Sequence, residues 1–134
     1  MLAGSVDTNI LVRLITQDDE LQANAVARPM ANHARSEELL FVPITVVLEL
    51  EWVLRSKKSK SKADVIQALS ALLTMVELSF QSEGALEQAL TDYQDGAADF
   101  GECIHLALSR SSEALPFWTF DRKASKAVGT KLLN

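Results

Sequence analysis

Acidic side chains occupy the positions of this sequence with the clearest potential for chemistry. Asp7 directly follows the apolar run "LAGSV", and Asp121 directly follows "PFWTF". Glu49 lies in "VVLELEWVL", an almost wholly apolar segment where burying a carboxylate is costly unless it is paired or binds a metal. Asp99 and Glu102 are spaced i, i+3 and therefore share one helix face. Because clustered carboxylates repel one another, such a set is typical of a site for Mg²⁺, which prefers oxygen ligands.

A simpler explanation exists for each aspartate, because Asp is a preferred residue at the position that caps a helix. Asp7, Asp99 and Asp121 each precede a segment of helical character. A purely structural explanation is weakest for Glu49, because a glutamate in an apolar helix needs a reason to be there. Glu51 is expected in solvent, on the opposite side of the same helix. Capping explains each acid separately, but it does not explain why the acids fall where a parallel sheet would gather them. Both interpretations stay open on this pattern.

Five short apolar runs predict strands that alternate with helical segments. These runs are "LAGSV" and "LLFVPI", both expected to be buried, followed by "VELSF", "PFWTF" and "KLL". None is joined to the next by a two-residue hairpin. The pattern predicts an α/β fold with three layers, α/β/α, around a central parallel sheet of four to five strands. Ligands of such sheets bind outside the carboxyl ends of the strands, where Asp7 and Asp121 lie.

Helical spacing of apolar residues predicts the remaining elements. The segments are "TNILVRLI", "DDELQANAVARPMANHARSEE", "TVVLELEWVLR", "KADVIQALSALLTM", "EGALEQALTDYQDG", "DFGECIHLALSRS" and "DRKASKAV". Pro29 is expected to kink or break the second of them. Ser82 is expected to cap the fifth helix, and Gly96 is expected to end it.

Length and composition are those of one globular domain. The chain has 134 residues, which predicts a single domain over residues 1–134, with 48% hydrophobic and 23% charged residues. No apolar stretch is long enough to span a membrane, and the first residues do not resemble a signal peptide. The single cysteine, Cys103, excludes an intrachain disulfide and is expected to be a small buried hydrophobe. We therefore expect a cytoplasmic protein without membrane association.

Other chemistries lack their motifs. The sequence contains no G-x-x-x-x-G-K-[ST], no G-x-G-x-x-G and no G-x-S-x-G. It has no His/Cys cluster at zinc spacing, because His33 and His105 are isolated. Nucleotide loops, serine nucleophile elbows and zinc sites are therefore disfavoured.

Positive charge is concentrated in two stretches of a chain whose net charge is −5. The stretch "RSKKSKSK", from Arg55 to Lys62, carries five positive charges, and "DRKASK" carries three. A solvated loop or helix end explains the first stretch as well as a phosphate-contacting surface does.

Four segments, in this order and spacing, resemble the PIN-domain ribonucleases, and most of all the VapC-type toxins of bacterial toxin–antitoxin pairs. They are "VDTNILVRL", "FVPITVVLELEWVLR", "ADFGECIHLAL" and "FWTFDRKASK", and the resemblance covers nearly the whole chain. It implies a Rossmann-like fold with acidic residues around one or two Mg²⁺ or Mn²⁺ ions. It also implies cleavage of RNA phosphodiester bonds and inhibition by an antitoxin protein.

The resemblance implies that Asp7, Glu49 and Asp121 are the first, second and last acids of that site. The family's third acid is an aspartate at the position of Glu102, and Asp99 matches an additional acid one turn earlier. Either of these two residues is therefore the expected third ligand. Matching polar positions around the acids are Thr8, Asn9, Thr45 and Thr119.

The implied function is that of a Mg²⁺-dependent endoribonuclease, in which the metal activates a water for attack on the phosphodiester. The expected partners are RNA, an antitoxin and a second copy of the chain. The alternative is a catalytically weakened module that acts through partner contact, because glutamate replaces aspartate at the third position. Contacts to the RNA backbone are expected from Arg55, Lys57, Lys58, Arg122 and Lys123.

Overall fold

The computed structural model describes residues 2–16 and 39–134. The chain groups into two compact units, Met1–Gln81 and Ser82–Asn134. The single domain predicted from the length stays a prediction. The helix predicted around Pro29, and with it His33, lies outside the described residues.

The first unit has a three-stranded sheet in the order β1-β2-β3, and both strand pairs are parallel. Phe41 of β2 pairs with Ser5 of β1 and with Ser79 of β3. The strands are β1 (Leu2–Ser5), β2 (Leu39–Val42) and β3 (Leu78–Phe80), and the helices are α1 (Thr8–Thr16), α2 (Ile44–Ser56) and α3 (Lys62–Leu73).

Strand β1 is exposed at all four of its residues, so the expectation that "LAGSV" forms a buried strand was wrong. Three of its residues, Ala3, Gly4 and Ser5, have little apolar surface to bury. The core of this unit is formed mainly by helix residues that are wholly inaccessible to solvent, with one residue from β2. These are Leu11, Leu50, Leu54, Val65 and Val42.

The second unit contains a pair of long helices and a small parallel sheet. Its elements are α4 (Glu83–Asp95), α5 (Phe100–Ser111), β4 (Phe117–Thr119), a 3₁₀ turn (Ala124–Lys126) and β5 (Thr130–Leu132). The rings of Tyr93 and Phe100 pack with their centroids 5.4 Å apart. Cys103 is buried as expected, at 3% exposure.

The start of α4 differs from the expected cap. Ser82 has a φ of +53° and its side chain makes no capping hydrogen bond, so the predicted cap was wrong. A capping serine normally has extended backbone, from which its oxygen reaches the free N–H groups of the first turn. The left-handed backbone of Ser82 removes that geometry. Gly96 does end the helix, and its N–H donates to the carbonyl of Asp92 at 2.9 Å.

The α/β class and the parallel pairing are confirmed, and all five predicted strands are present. Their hydrogen bonds divide them into a sheet of three strands and a sheet of two. The ambiguous segment "TVVLELEWVLR" is helical, whereas "DRKASKAV" contains only a short 3₁₀ turn. Within residues 2–16 and 39–134, every helix is too short or too polar to cross a membrane.

Candidate acidic site

Asp7 lies just beyond the carboxyl end of β1 and immediately before α1. Its Oδ1 atom accepts a hydrogen bond of 3.1 Å from the backbone N–H of Ile10, and its side chain is exposed. Asp7 therefore caps α1, as the simpler interpretation proposed. Of the two neighbouring candidate residues, Thr8 is buried at 5% exposure and Asn9 is exposed.

Glu49 is exposed, although its sequence neighbours are apolar. It lies one turn after Thr45 on α2, and Thr45 is exposed as well. The apolar side of α2 is carried by Val47, Leu50 and Leu54, which are buried. The carboxylate of Glu49 therefore avoids the cost of burial and remains accessible to a ligand.

Glu51 is the buried acid of α2, at 4% exposure, so the expectation that it is solvated was wrong. Arg55, one turn further on, donates from Nε to a carboxylate oxygen of Glu51 at 2.8 Å. A buried carboxylate is tolerated when it is paired and hydrogen-bonded. The i, i+4 spacing of an acid and an arginine was the signal in the sequence that could have indicated this pair.

Asp99 caps α5, because its Oδ1 accepts a hydrogen bond of 2.8 Å from the backbone N–H of Glu102. The Asp99 side chain is exposed, whereas Glu102 is only partly exposed and its Oε2 atom is buried. This atom has no hydrogen-bond partner within the described residues. The two candidates for the third acid therefore lie in the same helical turn but in different environments.

Asp121 follows β4 and is held by three backbone-linked hydrogen bonds. Its Oδ1 accepts from the N–H groups of Lys123 at 2.8 Å and Ala124 at 3.1 Å. Its own N–H donates to the hydroxyl oxygen of Thr119 at 3.0 Å. Thr119 therefore helps to fix the position of Asp121, and its role beside a metal site stays a prediction.

A cavity of about 110 Å³ in the second unit is lined by Glu102 together with Asp92, Lys123 and Lys126. The Oδ2 atom of Asp92 is buried without a hydrogen bond, and Arg110 Nη1 lies 3.8 Å from it. Sequence analysis missed Asp92. The signal in the sequence was its spacing, because Asp92 lies three residues after Ala89 and borders the apolar helix face that includes Ala89 and Tyr93.

The chemistry of these acids fits a hard divalent ion, because all the candidate ligands are carboxylate oxygens. The hydrogen bonds that Asp7, Asp99 and Asp121 accept from backbone N–H groups use only Oδ1, and Oδ2 of each makes no hydrogen bond within the described residues. In residues 2–16 and 39–134, no three Asp, Glu, His or Cys side chains form a ready metal-binding group. That the five acids hold one ion together stays a prediction.

The residues expected to contact RNA are exposed at the ends of helices and turns. Lys57 places its ammonium 5.4 Å from the ring centroid of Trp52, and Arg55 is engaged with Glu51. Arg122 and Lys123 are exposed beside Asp121. The second pair thus places positive charge next to a candidate metal ligand.

A family model described as PIN domain matches residues 5–129. A comparison with curated proteins gives no match. Among solved structures, one similar chain is VapC20 from Mycobacterium tuberculosis, described as a toxin that cleaves the sarcin-ricin loop. The two chains are 16% identical with a TM-score of 0.41, and the alignment covers 97% of this chain and 98% of that one.

Proposed function

Because the chain belongs to the PIN domain family, we propose that it is a Mg²⁺-dependent endoribonuclease that hydrolyses RNA phosphodiester bonds. The main support is the way in which its aspartates are held. Asp7, Asp99 and Asp121 each bind backbone N–H groups through one oxygen and keep the other available. A carboxylate fixed in this way needs little reorganisation when it binds a cation. Helix capping and metal binding are therefore compatible roles of the same side chain.

In this proposal the ligands are Asp7, Glu49 and Asp121, with Glu102 or Asp99 as the third acid. Mg²⁺ or Mn²⁺, when bound, supplies activation of water and neutralisation of the charge that develops on the phosphate. The polar residues Thr8, Asn9, Thr45 and Thr119 surround these acids along the chain. Of these, Thr119 contacts the backbone of Asp121 directly.

We also propose that the protein is the toxin of a VapBC-type pair, with a cognate antitoxin as inhibitor and a homodimer as the working form. The support is the four-segment resemblance to VapC-type toxins and the family match. A cytoplasmic location belongs to the same proposal. The RNA backbone is expected to contact the exposed cations of the two basic stretches. These are Arg55, Lys57, Lys58, Arg122 and Lys123.

The test is cleavage of a panel of structured RNAs, including transfer RNAs, by purified protein with Mg²⁺, with Mn²⁺ and with EDTA. Asp7→Asn is the informative variant, because asparagine caps a helix about as well as aspartate but lacks the negative charge. Asp64→Asn is the matched control, since Asp64 is an exposed aspartate in the first turn of α3. We expect metal-dependent cleavage that Asp7→Asn abolishes and Asp64→Asn preserves.

A binding module is the second candidate, and the glutamate at position 102 is the observation that favours it. The side chain of Glu102 is longer than that of the aspartate typical of the family, so an ion held by it would be shifted. If neither metal supports cleavage of any RNA, calorimetric titration with Mn²⁺ distinguishes the cases. An absent metal signal would identify the binding module, whereas tight metal binding would indicate that the substrate lies outside the panel.

A further inference from the structure

Two buried carboxylate oxygens of the second unit have no hydrogen-bond partner within the described residues. They are Oδ2 of Asp92, near the end of α4, and Oε2 of Glu102, in the first turn of α5. A buried polar atom without a hydrogen bond is costly, so each such atom in a folded protein needs an explanation. Metal binding at Glu102 does not account for the oxygen of Asp92.

Both acids line the same cavity of about 110 Å³, and every residue of its wall belongs to the second unit. One water needs about 10–15 Å³ of such space, so the cavity has room for several. Lys123 and Ala124 form another part of the wall, and Asp121 Oδ1 accepts hydrogen bonds from their backbone N–H groups. The cavity therefore lies between Asp92, Glu102 and the turn that Asp121 holds.

The remaining oxygens of the two acids are arranged differently. Oδ1 of Asp92 accepts from the side-chain amide of Gln88 at 3.0 Å, and Arg110 Nη1 lies 3.8 Å from Oδ2, too far for a hydrogen bond. Asp92 is therefore fixed on its own helix with Oδ2 left over. Oε1 of Glu102 is not a buried atom and makes no hydrogen bond within the described residues. Oε1 is thus the oxygen of Glu102 that is available to a metal.

We propose that Asp92 is a positioning residue for Glu102 and acts through ordered water in this cavity. A buried water typically makes about three hydrogen bonds to polar groups that lack other partners, and the two acids offer two such oxygens. Water that donates to both anchors Oε2 of Glu102 and leaves Oε1 for the metal. The inference rests on the proposed ribonuclease function, with Glu102 as the third ligand, and adds a residue that orients this ligand.

The length of the Glu102 side chain makes such an anchor useful. A glutamate has one more rotatable bond than the aspartate typical of this position, so it loses more conformational freedom when it is held in one geometry. The helices of the two acids already contact each other, because the rings of Tyr93 on α4 and Phe100 on α5 pack at 5.4 Å. Water at Oε2 restricts the freedom that remains in the side chain. Partners that orient a metal ligand in this way typically contribute about 10- to 100-fold to metal affinity.

A metal ion is a poorer occupant of the cavity itself. Of the described residues, only two acids line it, and Arg110 lies beside one of them. Lys123 and Lys126 also belong to the wall. Nearby cations disfavour a further positive ion, whereas water both donates and accepts hydrogen bonds and is compatible with either charge.

The test measures Mn²⁺ binding by calorimetry without RNA, so it does not depend on cleavage. Asp92→Ala removes Oδ2 and is expected to weaken Mn²⁺ binding about tenfold. Asp92→Asn keeps a polar atom that can hydrogen-bond to water and is expected to retain most of the affinity. Asp95→Ala is the matched control, because Asp95 is an exposed aspartate at the end of the same helix and lies outside the cavity wall.

A further variant separates positioning from support of the fold. Arg110→Met removes the cation beside Asp92 but leaves both cavity oxygens in place. Thermal melting is expected to show lower stability for Arg110→Met and Asp92→Ala alike, whereas only Asp92→Ala weakens Mn²⁺ binding. Metal-free crystal structures are expected to show water bound to Asp92 and Glu102 in the unchanged protein and a displaced Glu102 side chain in Asp92→Ala.

Equal Mn²⁺ affinity of Asp92→Ala and the unchanged protein would overturn the proposal. So would equal weakening by Asp92→Ala and Arg110→Met, because the effect would then belong to the fold. A cavity that is dry, or filled by a lysine ammonium, would overturn it as well. The proposed function fails in a different way, through absent metal binding by the unchanged protein, and the metal-free crystal structures then still decide whether Asp92 holds Glu102.

Discussion

The Oδ1 atom of Asp99 lies 2.8 Å from the backbone nitrogen of Glu102 and accepts its hydrogen bond. These two residues are the candidates for the third acid of the site, and both belong to the start of α5. Asp99 has an exposed side chain, whereas Glu102, at the position of the family's third acid, has a buried oxygen without a hydrogen bond within the described residues. We infer that Asp99 orients the turn and that Glu102 is the better candidate ligand.

The capping role of Asp99 predicts a specific pattern of stability. Asp99→Ala is expected to lower the free energy of unfolding by about 1 kcal/mol, because the N–H of Glu102 loses its acceptor. Asp99→Asn is expected to leave stability nearly unchanged, since asparagine provides an equivalent oxygen. Urea denaturation followed by circular dichroism measures both. Equal loss in the two variants would show that the charge of Asp99 matters rather than its hydrogen bond.

The division of roles also predicts different effects on cleavage. Glu102→Gln is expected to lower the rate by about 100-fold or more, because a lost ligand removes several kcal/mol of charge stabilisation. Asp99→Asn is expected to lower it less than about tenfold, because the cap is kept. Glu102→Asp restores the residue typical of the family and is expected to keep metal-dependent cleavage. The rates are measured on the best RNA of the panel, and the reverse order of the two losses would assign the metal to Asp99.

Much of the fold could be predicted because local patterns determine it. Apolar runs bounded by turns and helices gave all five strands, and the length of the segment around Glu49 correctly favoured a helix over a strand. The failures depend on contacts that the local pattern does not contain. The left-handed backbone of Ser82 removes a cap that its residue type predicts. Strand β1 is exposed, whereas β3, at the other edge of the same sheet, is mostly buried, and their local sequences do not indicate this difference.

The candidate site shows the same limit. The aspartates at strand ends and helix starts could be predicted, because capping preferences and topology both point to them. The burial of Glu51 could not be predicted from its offset to Glu49 alone, because it depends on the pairing with Arg55.

The pair formed by Glu51 and Arg55 predicts a structural role for one of the expected RNA contacts. Arg55→Met is expected to lower the free energy of unfolding by about 2 kcal/mol, because the buried carboxylate loses a charge-assisted hydrogen bond. The loss should be smaller than for a fully buried pair, since the Arg55 side chain is 46% exposed. The double variant Glu51→Gln, Arg55→Met is expected to recover part of the free energy of unfolding that Arg55→Met loses, because no buried charge is then left unpaired. Thermal and urea unfolding of the two single variants and the double variant measure this coupling, with Arg13→Met on α1 as the control. If the losses of the two single variants simply add in the double variant, the pairing is contradicted.

The basic residues next to Asp121 predict a defined dependence of RNA affinity on salt. Each phosphate contact to a single strand contributes about 0.7 to the slope of log affinity against log salt concentration. Arg122→Gln and Lys123→Gln are each expected to make the slope shallower by about that amount, with similar losses for different RNA sequences, because phosphate contacts do not read bases. Arg13→Gln, which lies outside the two basic stretches, is expected to leave the slope unchanged. Anisotropy titrations of labelled RNA at several salt concentrations in EDTA provide the measurement. An unchanged slope in the Arg122 and Lys123 variants would remove both residues from the RNA-binding surface and place the phosphate contacts elsewhere on the chain.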